Sequence, residues 1–124
     1  MKVRCVKIIN PATLEVESSS TWVRMGEEYL VLELMGSPNG RLSLRILHDD
    51  NSTGIWDSEM FVDTDPTVPS NWVARVSEGG RLHIGPPRWL DRGFWERYFD
   101  DEPTAVEAFK AEMAVIRDDS GRLG

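Results

Sequence analysis

The sequence has little of what metal binding and nucleophilic catalysis require. Among its 124 residues there are one cysteine, Cys5, and two histidines, His48 and His83. A lone cysteine forms no internal disulfide, which is typical of a reducing compartment, and it supplies no thiolate pair for a zinc site. The histidines lie on different predicted hairpins, and no serine has a G-x-S-x-G context. We therefore predict no cofactor, no metal site and no enzymatic activity.

Long apolar runs are absent as well. The chain has no stretch of 18 apolar residues, and the short apolar piece near its amino terminus is interrupted by Lys7. A membrane span needs about 20 largely apolar residues, and a secretory signal needs an apolar region of about 7–15. The sequence therefore predicts neither, and we expect a cytoplasmic protein with no membrane partner.

Basic residues are outnumbered by acidic ones, 14 to 21, which gives a net charge of −7. The negative charge falls in two blocks: residues 26–65 have nine acidic and two basic side chains, and residues 100–124 have seven and three. Such blocks repel phosphate, so we expect no direct nucleic-acid binding, and a basic protein is the complementary partner. The alternative is that the acidity serves only solubility.

Apolar and polar residues alternate over the first two thirds of the chain, which predicts strands. The turn residues at 37–40 and 79–80 predict two hairpins. Residues 55–62 fit either a short strand or a single helical turn that leads into a strand at 60–62. The other predicted strand segments are 1–9, 29–34, 42–46, 72–76 and 82–84.

A helix is predicted near the carboxy terminus. Asp100 or Asp101 is its expected N-cap, and residues 118–121 are expected to end it. Its apolar stripe recurs at helical spacing, at Val106, Phe109, Met113 and Ile116.

The predicted fold class is α+β, a bent antiparallel sheet or SH3-like partial barrel with a carboxy-terminal amphipathic helix packed on it. With 40% hydrophobic and 28% charged residues, the chain has the composition of a globular protein, and its length suits a single domain over residues 1–124. We expect about 1–86 to be mainly β, about 87–118 to be helical, and 119–124 to be a frayed tail.

The stretch HDDNSTGIWDSEMFVDTD, residues 48–65, combines six acidic side chains with one histidine and two aromatics. It approaches an EF-hand calcium loop, but Met60 stands where a bidentate glutamate closes such a site, and Glu59 is one residue early. The flanking segments are also predicted as strands, whereas an EF-hand needs helices. A calcium site is therefore not expected.

An acidic recognition face for another protein is the interpretation that we prefer for this stretch. Trp56 follows a loop and is flanked by carboxylates, so we predict that it is an exposed aromatic anchor inside a charged rim. The predicted partner-binding residues are Asp49, Asp50, Trp56, Asp57, Glu59, Asp63 and Asp65. A second-choice surface, for which a helix amino terminus offers a purely structural explanation, comprises Asp100, Asp101, Glu102 and Glu107.

The stretch VRMGEEYLVLELMGSPNGRLSLRILHDDNSTGIWDSEMFV, residues 23–62, resembles an SH3-like partial barrel. It has a glycine turn that leads into a strand, then a hairpin, a polar loop, a tight turn and a short strand. The aromatic box and the paired tryptophans of peptide-binding SH3 domains are missing, so the resemblance does not imply recognition of proline-rich peptides.

Over its whole length, from VRCVKIINPATLEVESS through PSNWVARV to WLDRGFWERYFDDEPTAVEAF, the chain resembles small acidic bacterial immunity proteins of polymorphic toxin or contact-dependent growth inhibition systems. This resemblance implies a protein that binds and neutralises a cognate toxin domain, often a basic nuclease. It also implies that the acidic face would meet the lysines and arginines of the nuclease cleft. The alternative is an SH3-like protein-interaction module, housekeeping or phage-encoded, with no toxin partner.

Overall fold

The computed structural model describes residues 1–121 and shows an α+β fold in which helices pack on a large antiparallel sheet. The strands, in chain order, are β1 (Lys2–Cys5), β2 (Ile8–Ile9), β3 (Val16–Glu17), β4 (Glu28–Gly36), β5 (Leu42–Leu47), β6 (Thr53–Asp57), β7 (Phe61–Asp65), β8 (Val73–Ser77) and β9 (Arg81–Gly85). The helical elements are 3₁₀ turns at Ser58–Met60 and Pro87–Leu90, and the helices α1 (Phe94–Phe99) and α2 (Pro103–Gly121).

Seven of these strands form one strongly bent sheet, and β2 and β3 form a separate ribbon. The main order is β6-β5-β4-β1-β7, with β9 pairing with β4 and with β8. In a flat sheet β6 and β7 would lie four strand spacings apart, about 19 Å. The step from Asp57 to Phe61, through one 3₁₀ turn, spans at most about 14 Å. The sheet must therefore curl, although its described strands do not close into a barrel.

Strand β4 contains one extra residue, a β-bulge. Val31 pairs with Ile46, and Leu34 pairs with Leu44, so three steps along β4 match two along β5. Val31 contributes to the core on the concave face, whereas Leu32 packs with the helices. The central strand thereby supplies apolar side chains to both faces of the sheet.

Two apolar cores follow from this arrangement. The first receives residues from β6 and β7, the two ends of the main strand order, which shows that the sheet curls around it. The second lies between the sheet and the helices. The first core consists of Val3, Cys5, Ile8, Ile9, Val23, Tyr29, Val31, Leu44, Ile46, Trp56, Met60, Phe61 and Trp72. The second consists of Leu32, Trp89, Phe94, Ala105, Phe109, Met113 and Ile116.

Helix α2 packs on the second core with the predicted stripe. Phe109, Met113 and Ile116 are buried, whereas Val106 is half-buried and the neighbouring Ala105 takes the first buried position. A small side chain there lets the first turn of the helix approach the aromatic residues of the core. The predicted carboxy-terminal helix and both predicted hairpins, β4–β5 and β8–β9, are confirmed.

The two ends of α2 correct the prediction. Asp100 is the C-cap of α1 and Asp101 has a φ of 57°, so neither residue caps α2. Instead Glu102 precedes the helix, and its carboxylate accepts a hydrogen bond from the Thr104 backbone N–H at 3.3 Å. The helix continues to Gly121, so the expected stop at 118–121 is wrong. A frayed tail is also wrong for residues 119–121, and residues 122–124 lie outside the described residues.

Residues 55–62 contain both a strand and a helical turn, the two alternatives that the sequence pattern left open. Strand β6 ends at Asp57, a 3₁₀ turn follows, and β7 begins at Phe61, one residue later than expected. The turn is needed because the chain must cross from one end of the curled sheet to the other. Strand β7 then pairs with β1.

A buried ion pair lies between the sheet and α1. Glu33 and Arg45 are cross-strand partners, and Arg45 Nε donates to Glu33 Oε1 at 2.8 Å. Arg45 Nη1 donates to Thr53 Oγ1 at 3.0 Å, and the Trp95 ring lies 3.8 Å from the guanidinium carbon. Burial raises the pKa of the Glu33 carboxyl, and Arg45 opposes that shift. The pair is therefore costly to bury and costly to break.

Gly85 makes room for this ion pair. A Cβ at Gly85 would lie 2.8 Å from Glu33 Cβ, a distance that forces the backbone or Glu33 to move. We expect Gly85→Ala to lower the free energy of unfolding by about 1–3 kcal/mol, as overpacking does. Urea denaturation of the purified protein measures this change.

Gly36→Ala is the matched control, because a Cβ there would meet Leu82 Cβ at an ordinary 3.6 Å. It should leave stability unchanged or raise it by about 0.5 kcal/mol, since alanine restricts the unfolded chain. Equal stability of the two variants would contradict the crowding that we assign to Gly85.

Candidate protein-binding surface

The acidic residues predicted to bind a partner lie in three places. Asp49 and Asp50 form the turn between β5 and β6, and we name them the acidic hairpin. Asp63 and Asp65 lie on β7, and we name them the acidic strand. Asp57 ends β6, and Glu59 lies in the 3₁₀ turn that follows. This end of β6 is about 13 Å along the strand from the acidic hairpin. The three groups are Asp49 and Asp50, Asp57 and Glu59, and Asp63 and Asp65.

Asp57 holds the fold together locally. Its carboxylate accepts a hydrogen bond from the Arg41 guanidinium and another from the Glu59 backbone N–H, which it caps at 2.9 Å. The Arg41 hydrogen bond contributes most to lowering the pKa of Asp57. Glu59 is exposed and lies 3.9 Å from Lys7 Nζ. Asp57 therefore stabilises its own turn and offers little surface to a partner, since its side chain is only 16% exposed.

Trp56 is buried, so the prediction of an exposed aromatic anchor at this position is wrong. Only 7% of the residue is exposed, and it belongs to the concave core. Trp56 is the cross-strand partner of Leu44, and both residues contribute to the core on the concave face of the sheet. Its indole Nε1–H donates to His48 Nε2 at 3.0 Å. The acidic neighbours that suggested exposure lie on turns and on the other side of the strand.

His48 connects the core to the acidic hairpin by a chain of hydrogen bonds. Trp56 donates to His48 Nε2, so Nδ1 carries the proton and donates to Ser52 Oγ at 2.9 Å. The Ser52 hydroxyl then donates to Asp50 Oδ1. This order assigns a neutral imidazole, and burial lowers the pKa of His48 against the opposing charges of Asp50 and Asp49.

Gly54 leaves the space that this imidazole needs. A Cβ at Gly54 would lie 2.4 Å from His48 Cε1, 2.6 Å from His48 Nε2 and 3.0 Å from Trp56 Nε1. No side chain larger than hydrogen fits there unless the histidine moves. A glycine on a strand is often a sign of such a close approach.

Trp22 is the exposed tryptophan at this surface, and sequence reasoning missed it. It is 50% exposed, and its ring lies over His48 with a centroid distance of 5.4 Å and an interplanar angle of 32°. Its backbone N–H donates to Ser20 Oγ at 3.1 Å. The polar run SSST before it was an available signal, because a tryptophan in such a run has few neighbours in sequence with which to form a core.

A cleft of about 520 Å³ opens beside Trp22. We name it the Trp22 cleft. One wall is the β2–β3 ribbon, the other is the segment that leads to Trp22, and Trp56 lies at its base. The lining residues are Ile8, Ile9, Asn10, Pro11, Glu17, Ser19, Ser20, Thr21, Trp22 and Trp56.

The second-choice acidic surface has a structural use, as its helix position indicated. Glu102 lies at the start of α2 and also 3.6 Å from Arg97 Nε, and Asp100 and Asp101 form the link between the two helices. Glu107 is exposed on α2. This group serves the helix connection, so we rank it below the acidic hairpin.

Other chemistry finds little support in the described part of the chain. In residues 1–121 no three His, Cys, Asp or Glu side chains converge to hold a metal ion. Cys5 is buried in the concave core, as predicted, and burial raises the pKa of its thiol. None of the helices in this range combines the length and apolar character that crossing a membrane requires.

Comparison with protein-family models, with curated proteins and with solved structures finds no match to this chain.

The neutral state of His48 predicts a pH dependence of stability. The unfolded histidine takes up a proton near pH 6.5, whereas the folded one does so only at lower pH. As the pH falls below about 6.5, the unfolded state gains a proton that the folded state lacks, so the free energy of unfolding should decrease. Urea denaturation at half-unit steps from pH 7.5 to 5.5 measures this slope.

His48→Gln should reduce the dependence of the free energy of unfolding on pH between pH 7.5 and pH 5.5. His83→Gln is the control and should leave the dependence due to His48 in place. This window lies above the range in which most carboxylates titrate. A slope that persists unchanged in His48→Gln would show that another group causes it.

Proposed function

We propose that this protein is a non-enzymatic bacterial immunity protein that binds and neutralises a cognate toxin domain, a basic nuclease, in the cytoplasm. The observation that carries the proposal is a set of carboxylates at the hairpin and on β7 that form no salt bridge among the described residues. In residues 1–121, Asp50, Asp63 and Asp65 belong to no salt bridge. The resemblance of the sequence to immunity proteins supports the same function.

These carboxylates differ from the acidic residues that support the fold. Glu33 and Asp57 are held by arginines with little exposure. Asp63, by contrast, is exposed on an edge strand, and Asp50 is exposed in a turn. Unpaired surface charges of one sign create a negative potential that extends about 8–10 Å at physiological salt. Such a potential attracts a basic partner and repels nucleic acid.

In the proposed mechanism, the carboxylates take the place of substrate phosphates. A nuclease cleft presents lysine and arginine to the backbone of its substrate, and a rigid acidic surface can pair with the same side chains. Electrostatic attraction raises the association rate, and apolar contacts slow dissociation. The toxin is inhibited because its substrate can no longer enter.

Capture from the native bacterium tests the function. The full chain is immobilised, exposed to lysate, and washed at two salt concentrations, and the retained proteins are identified by mass spectrometry. We expect a basic toxin domain encoded beside this gene, and co-expression should restore growth to cells that produce that domain. Recovery of only housekeeping or phage assembly proteins would instead favour the SH3-like interaction module.

Charge reversal tests which acidic surface binds. Asp49→Lys and Asp63→Lys, made singly and together, should lower the association rate for the captured toxin, by about tenfold for the double variant at low salt, because a lysine at either site repels the basic partner. The loss should shrink near 1 M salt, where the Debye length is about 3 Å. Unfolding free energies should stay within about 1 kcal/mol of the parent, since both side chains are exposed.

Glu107→Lys is the control for each single reversal, because it makes the same change of charge on α2. It should leave the association rate nearly unchanged. A larger effect from Glu107→Lys than from Asp63→Lys would move the interface to the second-choice surface.

A further inference from the structure

Exposed apolar side chains concentrate in one segment of the chain. Of the twelve large hydrophobic residues that are exposed among residues 1–121, five lie between positions 6 and 25. These five are Val6, Leu14, Val16, Trp22 and Met25. Single exposed apolar residues are ordinary, but Trp22 also lines the cleft, where a large exposed aromatic marks a surface that another molecule can cover.

The wall that carries β2 and β3 is well ordered by its own hydrogen bonds. Asn10 Oδ1 accepts from the backbone N–H groups of Ala12 and Thr13, at 2.8 and 3.1 Å. Asn10 Nδ2 donates to Glu17 Oε1 at 2.7 Å, which holds that carboxylate at the edge of the cleft. Ile8 and Ile9, which belong to this wall, are buried in the concave core, so the wall is anchored to the interior as well.

The opposite wall is supported from beneath. Trp22 rests on His48, and His48 is fixed on one nitrogen by Trp56 and on the other by Ser52. A partner that packs against Trp22 therefore meets a surface that is already ordered. Preorganisation of this kind reduces the entropy lost on binding. Tryptophan is also among the residues most often found at the energetic centres of interfaces.

Around the cleft, the charges that remain outside ion pairs are negative. Glu17 lines the cleft, and the acidic hairpin follows directly after His48 in the chain. The nearby cations are already engaged: Arg24 pairs with Asp49 at 2.7 Å, and Lys7 lies 3.9 Å from Glu59. A bound segment would thus meet an apolar floor and a negatively charged edge.

We propose that the Trp22 cleft is the docking site for a segment of the toxin domain in which one large apolar side chain is flanked by lysine or arginine. The apolar side chain packs between Trp22 and the β2–β3 ribbon, and the basic residues meet Glu17 and Asp50. The identity of the partner as a toxin rests on the proposed function, whereas the chemistry of the docking segment rests on the cleft. A volume of about 520 Å³ is ample for such a side chain and its neighbours.

Random peptide display against the full chain tests the chemistry of the cleft without knowledge of the toxin. Enriched peptides should combine Lys or Arg with an adjacent Leu, Ile, Phe or Trp. Their affinity, measured by fluorescence anisotropy of the labelled peptide, should fall at least about tenfold in Trp22→Ala, as for an interface hot spot.

Phe99→Ala is the matched control, since Phe99 is a similarly exposed aromatic, 58%, at the end of α1. It should leave peptide affinity unchanged. The proposal is overturned if no peptide is enriched, if the enriched peptides lack basic residues, or if Trp22→Ala and Phe99→Ala bind them equally well.

Gly54→Ala tests whether His48 positions Trp22. The added Cβ would displace the imidazole beneath Trp22 and crowd Trp56 Nε1, at 3.0 Å, while the Trp22 side chain itself is kept. Peptide affinity should fall in Gly54→Ala but not fall further when it is added to Trp22→Ala, because both changes remove one contact. Additive losses would overturn the positioning role, and His48→Gln provides the same comparison if Gly54→Ala does not fold.

The two proposals can fail separately. If the captured toxin binds Trp22→Ala as tightly as the parent while charge reversal still slows association, the docking site is overturned and the function stands. If peptides bind through Trp22 but lysate capture yields no toxin and growth is not restored, the function is overturned and the cleft remains a binding site.

Discussion

The bulge in β4 is the constraint on which the rest of the structure depends. A strand that alternates strictly would present one set of side chains to the concave core and the other to the helices. The extra residue between Val31 and Leu34 turns Leu34 toward the concave core and brings Glu33 opposite Arg45 on the side of the helices. Because β4 also pairs with β1, β5 and β9, a shift in its register would displace strands on both of its edges.

Acidic residues in this protein divide into two groups with different physical roles. Glu33 is held by Arg45, and Asp57 is held by Arg41 and by the Glu59 backbone N–H, so their charges serve the fold. Asp50 and Asp63 are exposed and belong to no ion pair among residues 1–121, so their charges face solvent. Solubility alone explains a diffuse negative charge. Charge beside an apolar cleft with an exposed tryptophan supports the basic protein partner that we propose.

His48 is the residue through which the interior and this surface communicate. It packs between the buried Trp56 and the exposed Trp22, and its ring nitrogens are both used. The space it occupies exists because position 54 is glycine. The ordering of the proposed docking surface is thus a property of the folded core, and it does not require the partner. A surface ordered in advance suits tight inhibition, in which binding energy is not consumed by rearrangement.

Local pattern was sufficient to predict the hairpins, the carboxy-terminal helix and the α+β class, because alternation and helical spacing report directly which side chains a strand or helix will bury. Local pattern misjudged Trp56 and missed Trp22. Their exposure depends on the curl of the sheet, which encloses one tryptophan and leaves the other on a loop above His48. The sequence by itself therefore determined the elements and the excess of negative charge. Only the tertiary structure decided which carboxylates stay unpaired and which aromatic faces solvent, because both depend on contacts between residues far apart in the chain.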